Sequence, residues 1–190
     1  GDLDGKWAVC PFPGYLIDLH GGQGLLIDTG PNRRHIREPM YEYIGTDFAE
    51  RLQPLLTDAD DPLNRLGELG LAVSNIDTLV LTHTHFDHAG NTADFVNCDI
   101  VVHEDALTFG RDRHQQGLAG GVPDHAVDGS ALRYRTFRGD LELANGLTLI
   151  ETPGHAPGHV SILMDLAETG AVILAIDAIY SRANQAFGNY

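Results

Sequence analysis

Four side chains with metal-binding chemistry fall within six positions of the sequence, at His83, His85, Asp87 and His88. They directly follow the apolar run 79–81, which predicts a buried β-strand. Because alternate side chains of an extended chain share a face, His83 and His85 point the same way. Imidazole and carboxylate groups that converge at a strand end are typical ligands of zinc and related metals. The spacing therefore predicts a metal site.

The pattern His-x-His-x-Asp-His is also the signature of the metallo-β-lactamase superfamily, which this sequence resembles through most of its length. Three further stretches carry the resemblance: Leu-Ile-Asp-Thr-Gly at 26–30, Thr-Pro-Gly-His-Ala-Pro-Gly-His at 152–159 and Ile-Asp-Ala-Ile-Tyr at 176–180. Within the family the sequence is most similar to the N-acyl homoserine lactonases. The resemblance implies an α+β fold, the four-layer αββα sandwich.

The resemblance also implies a set of metal ligands. His155 comes on a turn directly after a predicted strand, and with His83 and His85 it would form a three-histidine site with one open position, as catalytic zinc requires. Asp87 and His88 would begin a second site, and Asp177 matches the carboxylate that the family shares between both metals. We expect two zinc ions per chain, although iron, cobalt or manganese would fit the same donors.

Several further residues are expected to act around these ligands. Asp28 matches an aspartate that lies beneath the metals, and His159 is expected to orient the loop that carries His155. In the lactonases, a hydroxide held between two metals attacks the lactone carbonyl carbon. Asp87 would then donate a proton to the ring oxygen. Tyr180 matches the tyrosine that hydrogen-bonds the lactone carbonyl.

One part of the family pattern is not found in this sequence. The family supplies a last histidine to the second metal from a position well beyond the shared aspartate, and this sequence contains no histidine after His159. It also begins after the first strand of the family fold. We therefore expect a single metallo-β-lactamase-like domain over residues 1–190 that is incomplete at both ends, without its first strand and its C-terminal flank.

The amino-acid composition limits the substrate classes and the cellular location that we expect for this protein. Twelve Lys and Arg residues against 27 Asp and Glu residues give a net charge of −15, which disfavours nucleic acid as a substrate. No apolar run approaches the roughly 20 residues of a membrane helix. The two cysteines, Cys10 and Cys98, form no C-x-x-C pair, and Cys98 is expected to be a small buried residue. We expect a cytoplasmic protein whose partner is a small lactone; its oligomeric state stays open, with a dimer as one option.

The elements that must position the site are predicted from periodicity and turn residues. Residues 7–19 and 24–28 read as a hairpin, and Asp61-Pro62 begins a helix whose apolar face is Leu63, Leu66 and Leu69. Residues 31–61 and 110–130 lack clear periodicity, which is typical of pocket walls or lids. Residues 132–137, 141–143, 147–151, 161–166 and 171–176 are predicted to be strands of a second sheet.

Three functions remain open at this point. The first is the opening of N-acyl homoserine lactones, hence quorum quenching. The second is hydrolysis of another lactone, of a thioester as in glyoxalase II-like proteins, or of an organophosphate by the same fold. The third is a domain that binds metal without turnover. Release of a thiol or of a proton would separate the two enzymatic alternatives.

Overall fold

The computed structural model describes residues 9–19, 23–39 and 52–181. Its first sheet has the strand order β1-β2-β3-β4-β5, in which β1 and β2 are antiparallel and the later neighbours are parallel. The strands are β1 (Tyr15–Leu19), β2 (Gln23–Ile27), β3 (Ile76–Leu81), β4 (Asp99–His103) and β5 (Arg133–Phe137). The predicted hairpin is therefore present, although its turn at 20–22 and the segment 40–51 lie outside the described residues.

The second sheet is antiparallel throughout and packs against the first. Its order is β6 (Leu141–Ala144), β7 (Leu147–Glu151), β8 (Val160–Leu166) and β9 (Gly170–Leu174). Leu149 and Ile162 of this sheet meet Ile27 and Val80 of the first in one buried cluster. At the edge of this interface, the N–H of Val160 donates to the carbonyl of Thr82 over 2.9 Å. The two sheets are thus joined next to the predicted metal motif.

Helices cover the other face of the first sheet, as a strand buried on both faces requires. Side chains alternate along β3, so that Leu79 and Leu81 enter the cluster beneath the helices while Val80 faces the second sheet. The helices are α1 (Pro62–Glu68), α2 (Phe86–Ala89) and α3 (Glu104–Gln115). This arrangement of helices, sheet and sheet agrees with the predicted sandwich. Within the described residues, no helix has the length and apolar character needed to cross a membrane.

Two of the local predictions are confirmed by the structure. The carboxylate of Asp61 accepts the N–H of Leu63 over 2.9 Å and caps α1, which has Pro62 at its first position. Cys98 is buried, with 2% of its surface exposed. Both results follow from local side-chain chemistry, which the sequence shows directly.

Three other predictions are wrong in detail. Residues 132–137 do not join the second sheet, because β5 pairs with β4 and Arg133 donates to the carboxylate of Asp99 over 3.0 Å. Helix α3 continues through Gly110 to Gln115, so the irregular segment begins later than expected. Leu69 lies beyond the end of α1 and is 66% exposed, so it is not part of the apolar face.

Candidate metal centre

The predicted ligands converge at the edge where β3 ends. Among the described residues, two groups of side chains could hold a metal ion, and His83 belongs to both. The first group is His83, His85 and His155, and the second is His83, His88 and Asp177; in each group the ligand atoms lie within 4.8 Å of one another. Segments that are far apart in sequence therefore meet at one site. Asp87 lies beside the second group, with its Oδ2 atom 3.8 Å from Nε2 of His88.

The spacing of the first group fits a tetrahedral metal. Nε2 of His83 lies 3.1 Å from Nδ1 of His85, which lies 2.8 Å from Nε2 of His155. Ligand nitrogens at zinc–nitrogen distances of about 2.0–2.1 Å are separated by about 3.3 Å in a tetrahedron. A metal ion would require only a small outward movement of these three rings.

Asp28 organises the motif from below, as the resemblance implied. Its Oδ1 accepts the N–H of Thr82 over 2.8 Å, and its Oδ2 accepts the hydroxyl of Thr82 over 2.7 Å. Nδ1 of His88 donates to the same Oδ2 over 2.8 Å. Asp28 holds a φ of 58°, an unusual value for a residue other than glycine. The carboxylate is thus fixed from three directions, and the strained backbone is compensated by these hydrogen bonds.

The hydrogen bonds determine which ring nitrogens remain available. Because the hydroxyl of Thr82 donates to Asp28, it accepts from Nδ1 of His83, 3.2 Å away, and leaves Nε2 of His83 with a free lone pair. Nε2 of His88 is buried and has no hydrogen-bond partner in the described structure. A buried nitrogen without a partner is costly unless a ligand satisfies it. The donor set therefore fits a metal at the second group as well.

His159 orients the loop, as expected. Its Nε2 accepts the backbone N–H of Asp177 over 3.2 Å, so its Nδ1 carries the proton and lies 2.9 Å from the hydroxyl of Thr152. Asp177 itself sits on a 3₁₀ turn, Ile176–Ala178, because β9 ends at Leu174 and not at Ile176 as the sequence predicts. Ile176 adopts a φ of 53°, which is rare for a β-branched residue and turns Asp177 towards the histidines.

Burial sets the protonation states of the histidine cluster. Burial and the positive charge of His88 lower the pKa of His83 far below its usual range. Burial and His155 lower the pKa of His85 to about 4. Burial is the largest single effect on His88 and opposes its charge, but the carboxylates of Asp28, Asp177 and Asp87 together outweigh burial and raise the pKa of His88 to about 11. Two neutral rings therefore offer lone pairs, while His88 must release a proton before it can bind a metal.

The two acidic residues of the site differ in their environments. Burial raises the pKa of Asp87 to about 6. Burial acts in the same direction on Asp177, but the positive charge of His88, whose Nε2 lies 3.5 Å from the carboxylate, and the nearby His155 and His159 lower its pKa below the ordinary value. Asp177 is therefore a carboxylate throughout the neutral range, whereas Asp87 is poised to exchange a proton near neutrality.

Tyr180 lies at the solvent side of the first group. Its hydroxyl oxygen is 2.8 Å from Nδ1 of His155. If Nε2 of His155 offers its lone pair to a metal, Nδ1 carries the proton and donates to Tyr180, whose own O–H is then directed elsewhere. Burial and the charge of Asp177 raise the pKa of Tyr180 to about 12, so the phenol keeps its proton.

A large apolar cavity adjoins the site. It has a volume of about 870 Å³, and its walls include residues 9–14 and 52–56. Asp28, Thr29 and Phe86 also line it, and they lie next to the predicted ligands in structure or sequence. The ring of Phe12 packs edge-on against Phe86 and His88, with centroid distances of 6.4 and 6.5 Å. Of the segment 31–61, for which a pocket wall is predicted, Pro31, residues 52–56 and Asp60 line this cavity, whereas residues 32–39 do not.

Comparison with known proteins agrees with this geometry. The family model of the metallo-beta-lactamase superfamily matches residues 13–189. This chain belongs to the metallo-beta-lactamase superfamily. Its sequence is 31% identical to the N-acyl homoserine lactonase AiiA of Bacillus thuringiensis subsp. kurstaki over 95% of this chain and 68% of that protein. It is 28% identical to the N-acyl homoserine lactonase AttM of Rhizobium radiobacter over 90% of this chain and 66% of that protein.

Among solved structures, this superfamily member is similar to an N-acyl homoserine lactone hydrolase with the product N-hexanoyl-L-homoserine bound at its catalytic metal centre. The two share 29% identity with a TM-score of 0.82, over 95% of this chain and 68% of that one. The predicted family and fold are thus confirmed. Thr82 was not identified from the sequence, because a neutral hydroxyl that acts through Asp28 carries no ligand chemistry of its own.

Proposed function

We propose that this single-domain protein is a metal-dependent hydrolase that opens the lactone ring of N-acyl homoserine lactones. The observation that carries the proposal is the convergence of two metal-ligand groups beside a large apolar cavity lined by Asp28 and Phe86, in a chain that aligns over 95% of its length with lactonases. A lactone head at the ligands and an acyl chain in the cavity would use both parts of the site. Such an activity would quench signalling by these lactones.

The proposed metals are two zinc ions. His83, His85 and His155 would hold the first, and His88, Asp87 and the shared carboxylate of Asp177 would contribute to the second. When bound, zinc supplies Lewis acidity and a water nucleophile at neutral pH. The lone pair of His83 and the unpartnered Nε2 of His88 support this assignment.

The chain's own groups would bind the substrate and move one proton. The hydroxyl of Tyr180 would donate to the lactone carbonyl oxygen, because its oxygen would accept from Nδ1 of His155 once Nε2 of His155 binds a metal, which leaves its O–H available. Asp87, with its raised pKa, would donate a proton to the ring oxygen as the carbon–oxygen bond breaks. Phe12 and Phe86 would exclude water beside the acyl chain.

The test is a comparison of substrates with the zinc-loaded chain. An N-acyl homoserine lactone should be converted to the open N-acyl homoserine, which is one water heavier by mass spectrometry. A glutathione thioester and a phosphotriester serve as competing substrates, and His155→Ala serves as a metal-site control. Faster turnover of either competitor, or equal turnover by His155→Ala, would overturn the proposal.

A further inference from the structure

The backbone that carries His85 is contacted from behind by a glycine pair, Gly120-Gly121. A β-carbon on Gly120 would lie 3.0 Å from the nitrogen of Phe86, 3.1 Å from the carbonyl oxygen of Thr84 and 3.2 Å from Cα of His85. These are backbone atoms, which cannot move aside as a flexible side chain can. Gly120 therefore lies directly against the metal motif, and a β-carbon there would push these backbone atoms away.

The second glycine of the pair faces the opposite way. A β-carbon on Gly121 would lie 2.5 Å from Cα of His114 and 2.6 Å from its nitrogen, both in helix α3. The pair is thus a layer one backbone thick between α3 and the segment 84–86. Its thickness sets how closely the helix approaches His85.

Helix α3 reaches the ring of His85 as well. The ring of Phe109 packs edge-on against the His85 ring, with centroids 6.0 Å apart at 67°. The guanidinium of Arg113 lies 5.5 Å from the centroid of Phe109, and its Nε donates to the carbonyl of Ala119. Arg113 therefore contacts both Phe109, which packs on the His85 ring, and Ala119, which directly precedes the glycine pair.

We propose that Gly120-Gly121 is a spacer that positions His85 as a metal ligand, with Phe109 fixing the plane of its ring. His85 is the member of the first group that lies between the other two, so a shift of its backbone would change both nitrogen distances at once. Metal sites tolerate displacements of only about 0.5 Å before ligand geometry fails. The inference rests on the metal site of the proposed function and not on its substrate.

The decisive variant is Gly120→Ala, with Gly117→Ala as its matched control. Gly120 and Gly117 have φ values of 77° and 66°, so alanine is strained by its backbone at either position. A β-carbon on Gly117 would meet nothing within 4 Å, whereas one on Gly120 would press on the metal motif. The pair of variants separates backbone strain from displacement of His85.

Each full chain is first prepared free of metal. It is then titrated with cobalt(II) in one experiment and with zinc in another. Cobalt absorption in the visible range reports ligand geometry, and competition with a chelating dye gives zinc affinity. For the most tightly bound zinc ion, the affinity of Gly120→Ala should be about 10–100-fold lower than that of the parent protein. The cobalt absorption spectrum of this variant should also differ from that of the parent. Gly117→Ala should remain within about twofold of the parent protein in zinc affinity, although its backbone strain should still lower its thermal stability.

Phe109→Leu supplies a second and milder test, because it keeps apolar volume while removing the ring edge from His85. It should weaken zinc binding in the same direction and alter the cobalt spectrum. Folded Gly120→Ala that binds zinc as tightly as Gly117→Ala would overturn the proposal. If Gly120→Ala does not fold, unchanged affinity in Phe109→Leu would overturn it. If the variants show these changes in metal binding but the zinc-loaded parent protein opens no lactone, only the proposed function is overturned.

Discussion

The carboxylate of Asp28 lies 2.8 Å from Nδ1 of His88, although the two residues are 60 positions apart in sequence. Asp28 follows β2 and His88 lies in α2, and the parallel pairing of β2 with β3 brings them together. The contact fixes the tautomer of His88 and directs its Nε2 atom towards Asp177, 3.5 Å away. The ligand is therefore oriented before any metal binds, which is the usual task of a carboxylate beneath a metal-bound histidine.

Asp28→Asn should weaken metal binding at the second group by about 10–100-fold, because the amide no longer holds His88 by a charged hydrogen bond. Zinc affinity and metal content per chain would measure the loss. Asp18→Asn is the control, since Asp18 is an exposed carboxylate on β1. Equal metal affinity in the two variants would remove Asp28 from the site.

Tyr180→Phe should retain both metals and slow lactone opening by about 10–100-fold, the effect of one lost hydrogen bond worth about 1.5–3 kcal/mol. The loss should fall on kcat, because the proposed bond strengthens as charge develops on the carbonyl oxygen. Steady-state kinetics with parallel metal analysis would separate this role from support of His155. Loss of metal without a specific loss of kcat would show that the hydroxyl only positions His155.

Asp87→Asn should lower kcat by about 100–10,000-fold if Asp87 donates the proton to the ring oxygen. A thiolactone analogue gives a sharper reading, because a leaving thiolate with a pKa near about 8.5 needs that proton far less than an alkoxide does. The variant should therefore lose much less activity on the thiolactone. An equal loss on both substrates would assign Asp87 to metal binding alone, and Asp18→Asn again serves as the control.

Metal affinity should rise with pH, since binding must remove a proton from His88, whose pKa is raised to about 11 without metal. One released proton corresponds to about a tenfold gain in affinity per pH unit between about pH 7 and about pH 9. Below about pH 6, Asp87 also gains a proton, so the dependence should steepen. Calorimetry in buffers of different protonation enthalpy would count the protons, and an affinity independent of pH would contradict the assignment.

Much of the fold could be predicted because its signals are local. The cap of Asp61 on α1 and the apolar run of β3 depend on neighbouring positions. The pairing partner of a strand does not depend on neighbouring positions. The sequence predicts the wrong sheet for β5, because its short apolar pattern contains no information about its pairing with β4, in which Asp99 lies opposite Arg133. Gly110 did not end α3, since its place against Thr84 has no room for a side chain and tertiary packing outweighs helix propensity.

The ligands of the site were predictable, whereas their supports were not. His83, His85 and His155 carry chemistry in their residue types, and the structure brings them together as predicted. Thr82 acts through its hydroxyl group, which donates to Asp28. Gly120 acts because it has no β-carbon. Their roles depend on atoms that are distant in sequence, so one sequence alone could not identify them. The turn at Ile176 was missed for a similar reason, because its positive φ is imposed by the surrounding structure.

The proposed function requires that the protein opens a lactone when these ligands hold metal. The most direct test follows proton release and product mass from an N-acyl homoserine lactone, using chain loaded with zinc, chain treated with a chelator and chain reloaded with zinc. We expect ring opening by the loaded chain, loss of activity after chelation and recovery after reloading. A chain that carries zinc at these histidines and leaves the lactone closed would contradict the proposal.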